Sequence, residues 1–162
     1  MVGRLKSSLL FSNNVILGYL SVIVALMADQ ASKEAVLENA HRLSAAIPVV
    51  PGFNLVFTRN EGVTFGLLSG TPWWVLTVLA ALISLWIASI MLRSRHKVEV
   101  VGCGLILGGA LGNIADRVRH GGVTDFLDFY VGNYHWPSFN LADVAVVCGV
   151  SLLIFHQIRN PA

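Results

Sequence analysis

The sequence predicts a mainly α-helical integral membrane protein with four transmembrane helices, and three observations carry that prediction. Of 162 residues, 55% are hydrophobic and only 12% charged, with a mean hydropathy of +0.69, which is not the composition of a soluble globule. Four apolar runs are each long enough to cross about 30 Å of hydrocarbon at about 1.5 Å per helical residue. A short connection at 93–97, ArgSerArgHisLys, packs three fixed positive charges into five residues, the mark of a cytoplasmic loop.

The first span is expected at 9–37, after Arg4 and Lys6. A positive start and an apolar middle suit a signal peptide too, but no small-x-small cleavage site follows, so the segment is read as retained. Asp29 then lies roughly 21 to 33 Å from the helix entry, near the far interface. Residues 38–71 form an outer loop in which PheAsnLeuValPheThr (53–58) alternates after the turn at Pro51 and Gly52, as a strand does. Thr71 as N-cap and Pro72 as first helical residue open a second span at 72–92, with Trp73 and Trp74 at an interface belt. The third span is expected at 98–116, where Gly104, Gly108 and Gly112 form one smooth face that Asp116 continues. A second outer loop, 117–138, holds the Gly121 and Gly122 turn, a strand-like stretch at 123–129, and aromatic anchors Tyr134 and Trp136. A fourth span at 139–158 completes an arrangement with both termini cytoplasmic and no internal repeat or linker, so 1–162 reads as one domain.

Composition also excludes function classes. A net charge of +2 without a basic stripe argues against nucleic acid as a partner. Cys103 and Cys148 sit inside apolar runs without a CxxC or CxxH neighbour and read as packing residues. No HExxH occurs, and the histidines are scattered over both sides, so no metal or other cofactor is expected. GlyLeuLeuSerGly (66–70) has the wrong spacing for a nucleophile elbow, and adjacent Ser32 and Lys33 point apart on a helix.

The chemistry is expected in 104–143, where four of the nine acidic residues lie: Asp116, Asp125, Asp128 and Asp143. The topology gathers Asp29, Asn60, Asn113, Asp116, Arg117, Asp125, Asn140 and Asp143 at the outer interface from four separated stretches. Ionisable groups at membrane depth are costly and mark function. Asn113 and Arg117 are spaced i,i+4, and Asn140 and Asp143 i,i+3, so each pair shares a helical face if its helix extends that far. Two carboxylates held together share one proton: the ionised one takes a proton from water while the protonated one donates to a scissile carbonyl. Asp125 and Asp143 are the leading pair. Asp125 and Asp128 fall on opposite faces of a strand, so only one can meet Asp143. Plainer readings stand beside these: Asp29 ion-paired with Lys33, Asp116 with Arg117 or Arg119, and Asp128 in a solvated loop.

Five stretches then carry a resemblance. AspGlnAlaSerLys (29–33), AsnLeuValPheThrArgAsnGluGlyValThrPheGly (54–66), GlyGlyAlaLeuGlyAsnIleAlaAspArg (108–117), GlyGlyValThrAspPheLeuAsp (121–128) and ProSerPheAsnLeuAlaAsp (137–143) together resemble the signal peptidase II family of bacterial lipoprotein signal peptidases. The resemblance implies four transmembrane helices, a small extracytoplasmic β-sheet that cradles substrate, and an outer loop or helix. It implies an aspartyl endopeptidase of the bacterial inner membrane that cuts prolipoproteins just before a diacylglyceryl-cysteine, and a target for cyclic peptides of the globomycin type. Carried over by position, the catalytic residues are Asp125 and Asp143, supported by Asp29, Asn60, Asn113, Arg117 and Asn140. Thr64 departs from the alanine of many members.

Two rival readings come from other classes. A small proton-coupled membrane transporter also needs intramembrane acids, but near the midplane and in paired half-sites. A non-catalytic assembly protein would use the glycine face for helix pairing, and leaves the convergence of polar residues without a purpose. On the peptidase reading, the strand at 53–58 is expected to offer an edge to an extended substrate.

Overall fold

A computed structural model describes residues 2–62 and 71–160, with side chains from residue 14 onward. Thr64 and the 66–70 stretch lie outside the described residues. The elements are α1 (Val2–Glu38), α2 (Ala40–Leu43), β1 (Ile47–Val50), β2 (Phe53–Asn60), α3 (Trp73–Arg93), α4 (Lys97–His120), β3 (Val123–Val131), β4 (Tyr134–His135) and α5 (Leu141–Arg159). Four of these helices are long and apolar enough to cross a membrane. Their outer surfaces expose Leu82, Leu85, Trp86, Val147 and Ile158, an apolar coat that only lipid solvates well.

α4 is the central helix. Half of its most apolar window is buried, against 11 to 22% in the other three spans. Glycine makes this possible. A Cβ at Gly104 or Gly108 would collide with backbone oxygens of Gly18 or Val22 in α1, and one at Gly112 with the Asp29 carboxylate. This is the face that the four-residue repeat predicts. A second face went unread: Gly102 and Gly109 abut Gly149 and Ala142 of α5, so α4 meets neighbours closely on two sides.

Helix ends differ from expectation for local reasons. Pro72 is the N-cap of α3, with extended ψ of 134°, and its carbonyl takes the first bond from Val75 N at 2.9 Å. α4 continues past 116 to His120, stopping only where Gly121 adopts the left-handed conformation, φ 74°, that residues with a Cβ avoid. Arg117, Arg119 and His120 thus occupy its last turn, where positive charge suits the helix dipole. α5 begins at Leu141 behind an Asn140 cap.

The small sheet is antiparallel with order β1-β2-β3-β4. β1 was unforeseen, because IleProValVal lacks alternation; it pairs Ile47 with Leu55 around the turn at Gly52, φ 90°. A bulge shifts the β2–β3 register between Leu55 and Thr58, so Thr58 faces Asp125 and Asn60 faces Val123. The expectation that β2 is a free edge is therefore corrected. β3 lies on one side and β1 covers the other as far as Leu55; only residues 56–60 keep that side unpaired among the described residues.

The sheet is tied to α5 by the chain just before it. Phe126 N and Leu127 N donate to Phe139 O at 3.0 and 2.9 Å, and Phe139 N returns a bond to Leu127 O at 3.1 Å. Residue 140 is thereby held against the middle of β3.

Candidate active site

That tie brings Asp125, on β3, to the start of α5. Asn140 is fully buried and does three jobs at once. Its side-chain oxygen accepts from Asp143 N at 3.1 Å while the Asp143 carboxylate accepts from Asn140 N at 3.2 Å, a reciprocal helix cap. Its Nδ2 donates to Asp125 Oδ1 at 2.6 Å and more weakly to Asn113 Oδ1 at 3.3 Å. Asn140 and Asp143 are thus cap and third helical residue, and do not share a helical face as the i,i+3 spacing suggested.

Each carboxylate has a donor on both oxygens. Asp125 receives Asn140 on Oδ1 and Asn60 Nδ2 on Oδ2 at 3.0 Å. Asp143 receives Asn113 Nδ2 on Oδ1 at 3.0 Å and the Asn140 backbone on Oδ2. Burial pushes the Asp125 carboxyl up to about 6; the Asn60 bond opposes this, the Asp143 charge adds to it, and Asn140 and Lys33 pull it back.

Both aspartates open onto one cavity of about 300 Å³. Asn60, Asn113, Arg117 and Val123 share its walls, and Leu76, Leu79, Ala80 and Ile83 of α3 close the opposite side. Asp143 and Val146 also border a second, apolar cavity of about 520 Å³ with Trp136, Phe139, Val144, Val147 and Cys148. Arg117 is buried and donates to Gly62 O at 3.2 Å, while Asn60 Oδ1 accepts from Gly62 N at 3.0 Å, so the chain leaving β2 is pinned at the cavity rim.

Asp29 lies outside the cavity. Its Oδ2 pairs with Lys33 at 2.9 Å, as the plainer reading had it, and its Oδ1 accepts from Ala142 N at 2.9 Å, holding the first turn of α5. Asp116 does not pair with Arg117 or Arg119. It accepts from Thr124 N at 2.8 Å and faces Lys33 at 3.5 Å, because α4 runs on and turns both arginines elsewhere. Asp128 is likewise not in a solvated loop. It is buried, accepts from Asn54 Nδ2 at 2.8 Å and meets His135 Nδ1 at 2.8 Å. Its partners are separate from those of Asp125, as opposite strand faces require.

Lys33 is the residue that sequence reasoning undervalued. It is 2% exposed, and its Nζ reaches Asn113 Oδ1 at 2.9 Å besides the two aspartates. The available signal was a lysine one turn after an aspartate near the end of an apolar helix, where burial is tolerated only with several partners.

The chain resembles known proteins over nearly its whole length. The family model described as signal peptidase (SPase) II matches residues 21–159. Proteins named lipoprotein signal peptidase from Yersinia pestis (strain Pestoides F) and Yersinia pseudotuberculosis (serotype O:1b) are each 43% identical. The matches cover 88 and 89% of this chain and 86 and 87% of theirs. A bacterial membrane enzyme solved by the in meso method at 2.3 Å superposes with a TM-score of 0.78 at 28% identity, covering 88% of this chain and 87% of that one. A second, solved at 1.9 Å, gives 0.76 at 27% identity over 88 and 93%. With a family match that takes in three of the four spans and most of the first, together with the sheet and both aspartates, this chain belongs to the signal peptidase II family.

Proposed function

We propose that the chain is an aspartyl endopeptidase that removes the signal peptide from diacylglyceryl-modified prolipoproteins, cutting before the lipidated cysteine. The observation that carries this reading is the convergence of Asp125 and Asp143 on one cavity, bridged by Asn140. Buried carboxylates so placed hold one proton between them. The ionised member takes a proton from water, whose oxygen attacks the carbonyl carbon of the last signal-peptide residue while the protonated member donates to the carbonyl oxygen. The tetrahedral intermediate then collapses: the C–N bond breaks, the proton taken from water passes to the departing cysteine nitrogen, and one hydroxyl returns its proton to the aspartate that donated to the carbonyl. Asn60, Asn113 and Asn140 hold the two carboxylates through this exchange by donating to them. The side of residues 56–60 that is unpaired among the described residues offers backbone groups to an extended peptide that has left its helix.

Residues 1–162 act as one membrane domain in the bacterial inner membrane, with both termini cytoplasmic and the site at the outer face. The basic connection at 93–97 and exposed Trp73, Trp74 and Trp136 at the sheet end support this orientation. The diacylglyceryl group stays in lipid and fixes the scissile bond at the height of the aspartates, each buried methylene contributing about 0.8 kcal/mol. Cyclic peptides of the globomycin type compete for the same cavity. The test is turnover of a lipidated and an unlipidated precursor of one sequence by purified protein in the same detergent. Rapid release of the signal peptide from the lipidated form alone is expected. Equal rates would remove lipid from the account, and no cleavage of either would remove the activity.

A further inference from the structure

We propose that Lys33 is a positioning residue for the aspartate pair. Its ammonium group fixes the orientation of the Asn113 amide, so that this amide turns its N–H toward Asp143 while its oxygen stays available to Asn140. The proposal rests on the aspartyl peptidase reading above.

An ammonium group only donates, so whichever Asn113 atom faces it must be the oxygen. Lys33 Nζ meets that oxygen at 2.9 Å, and the amide nitrogen is left pointing the other way, at Asp143 Oδ1, 3.0 Å off. The same Asn113 oxygen takes one hydrogen of Asn140 Nδ2 at 3.3 Å, and the other hydrogen goes to Asp125 Oδ1 at 2.6 Å. A side-chain amide on its own turns either way at little cost. Here the cation removes the choice for Asn113, as the Asp143 N–H does for Asn140. A flipped Asn113 would set its nitrogen against the ammonium, two donors with no acceptor between them, and its oxygen against Asp143, which has no proton to give when ionised.

The surroundings hold Lys33 in place. Asp29 on α1 and Asp116 on α4 lie 2.9 and 3.5 Å from Nζ. Gln30 donates to both carboxylates and accepts from Arg119 at 3.0 Å. Arg117 on α4, Asp125 on β3 and Asp143 on α5 are the other charged groups at the site. Lys33 Nζ is satisfied by three acceptors, none of which belongs to Asp125 or Asp143. The hydrogen-bonded path from Lys33 to them therefore runs through Asn113, beside the direct attraction of its charge.

Lys33→Met keeps the length of the stem and removes donor and charge, but it leaves Asp29 and Asp116 buried without a cation. The companion Lys33→Met/Asp29→Asn removes the closer pair together, keeps an oxygen for Ala142 N, and leaves Asp116 its bonds from Thr124 N and Gln30. In the lipidated-precursor assay it is expected to keep its thermal midpoint and KM, lose about 10- to 100-fold in kcat, and shift its pH profile upward. In an Asn113→Leu background the same two changes should add little, since the amide they orient is gone. Asn113→Asp, which still satisfies Lys33 but has no N–H for Asp143, should lose kcat without removing Lys33 at all. A wild-type kcat in the companion or in Asn113→Asp overturns the proposal, as do losses that multiply fully with Asn113→Leu. Asp125→Asn in the same assay separates the two levels: if it is inactive while the companion is wild-type, only the role of Lys33 fails.

Discussion

Asn140→Asp leaves a good helix cap in place but replaces the N–H that reaches Asp125 with an acceptor, and so separates the contact with Asp125 from the cap. The cap oxygen that accepts from Asp143 N is retained, a contribution of about 1 kcal/mol. The 2.6 Å bond to Asp125 is lost, and a hydrogen bond to an ionised carboxylate is worth about 1.5 to 3 kcal/mol. If that bond serves the reacting state, the rate falls about 10- to 150-fold. The sign of the pH effect follows from the same contacts. Asp125 is pushed up to about 6 by burial, with the Asn60 and Asn140 bonds among the influences pulling it down. Removing one of these and adding a like charge moves it higher, so the acid limb of the pH profile moves to higher pH. Asn140→Ala should lose the rate and also about 0.5 to 2 kcal/mol of stability from the cap. The assay is turnover of a lipidated precursor across pH, with thermal unfolding of each variant. A wild-type rate and an unmoved profile in Asn140→Asp would refute the reasoning.

Three further outcomes are expected. Gly109→Ala places a Cβ against the Ala142 carbonyl and Val146, so α5 must shift and carry Asp143 with it; activity should fall and stability drop by about 1 to 3 kcal/mol, read by turnover and thermal unfolding. Asp128→Asn weakens the contact with His135 on the other face of β3, so it should lower the thermal midpoint while leaving turnover near wild type. With Cys103 and Cys148 replaced by alanine, Arg95→Cys should be labelled only from the cytoplasm and Asn133→Cys only from outside; the reverse would place the aspartates on the wrong side for exported precursors.

How far these features were legible in the sequence depends on where their information lies. The four spans follow from composition, and the glycine face from a repeat of four, so both are local and were readable. Asp125, Asp143, Asn60, Asn113 and Arg117 stood out as polar residues converging in an apolar chain, and they line one cavity. The function of Asn140 was half-legible: AsnLeuAlaAsp has the spacing of a reciprocal cap, which competes with the shared-face reading and wins because the helix starts at Leu141, two residues later than expected. The burial of Asp128 depends on the register that sets Asn54 opposite it, and a bulge in β2 makes that register unpredictable from alternation. Lys33 was hidden for a related reason. Its partners on α4 are about eighty positions away, and only the close approach allowed by Gly112 brings them within reach.

The central claim, that Asp125 and Asp143 jointly cleave the peptide, is tested most directly by measuring turnover of a lipidated precursor by purified Asp125→Asn and Asp143→Asn. Each keeps a side chain of nearly the same shape but removes one half of the shared-proton pair. Both variants should remain folded and release no signal peptide, whereas turnover close to wild type by either one would contradict the account.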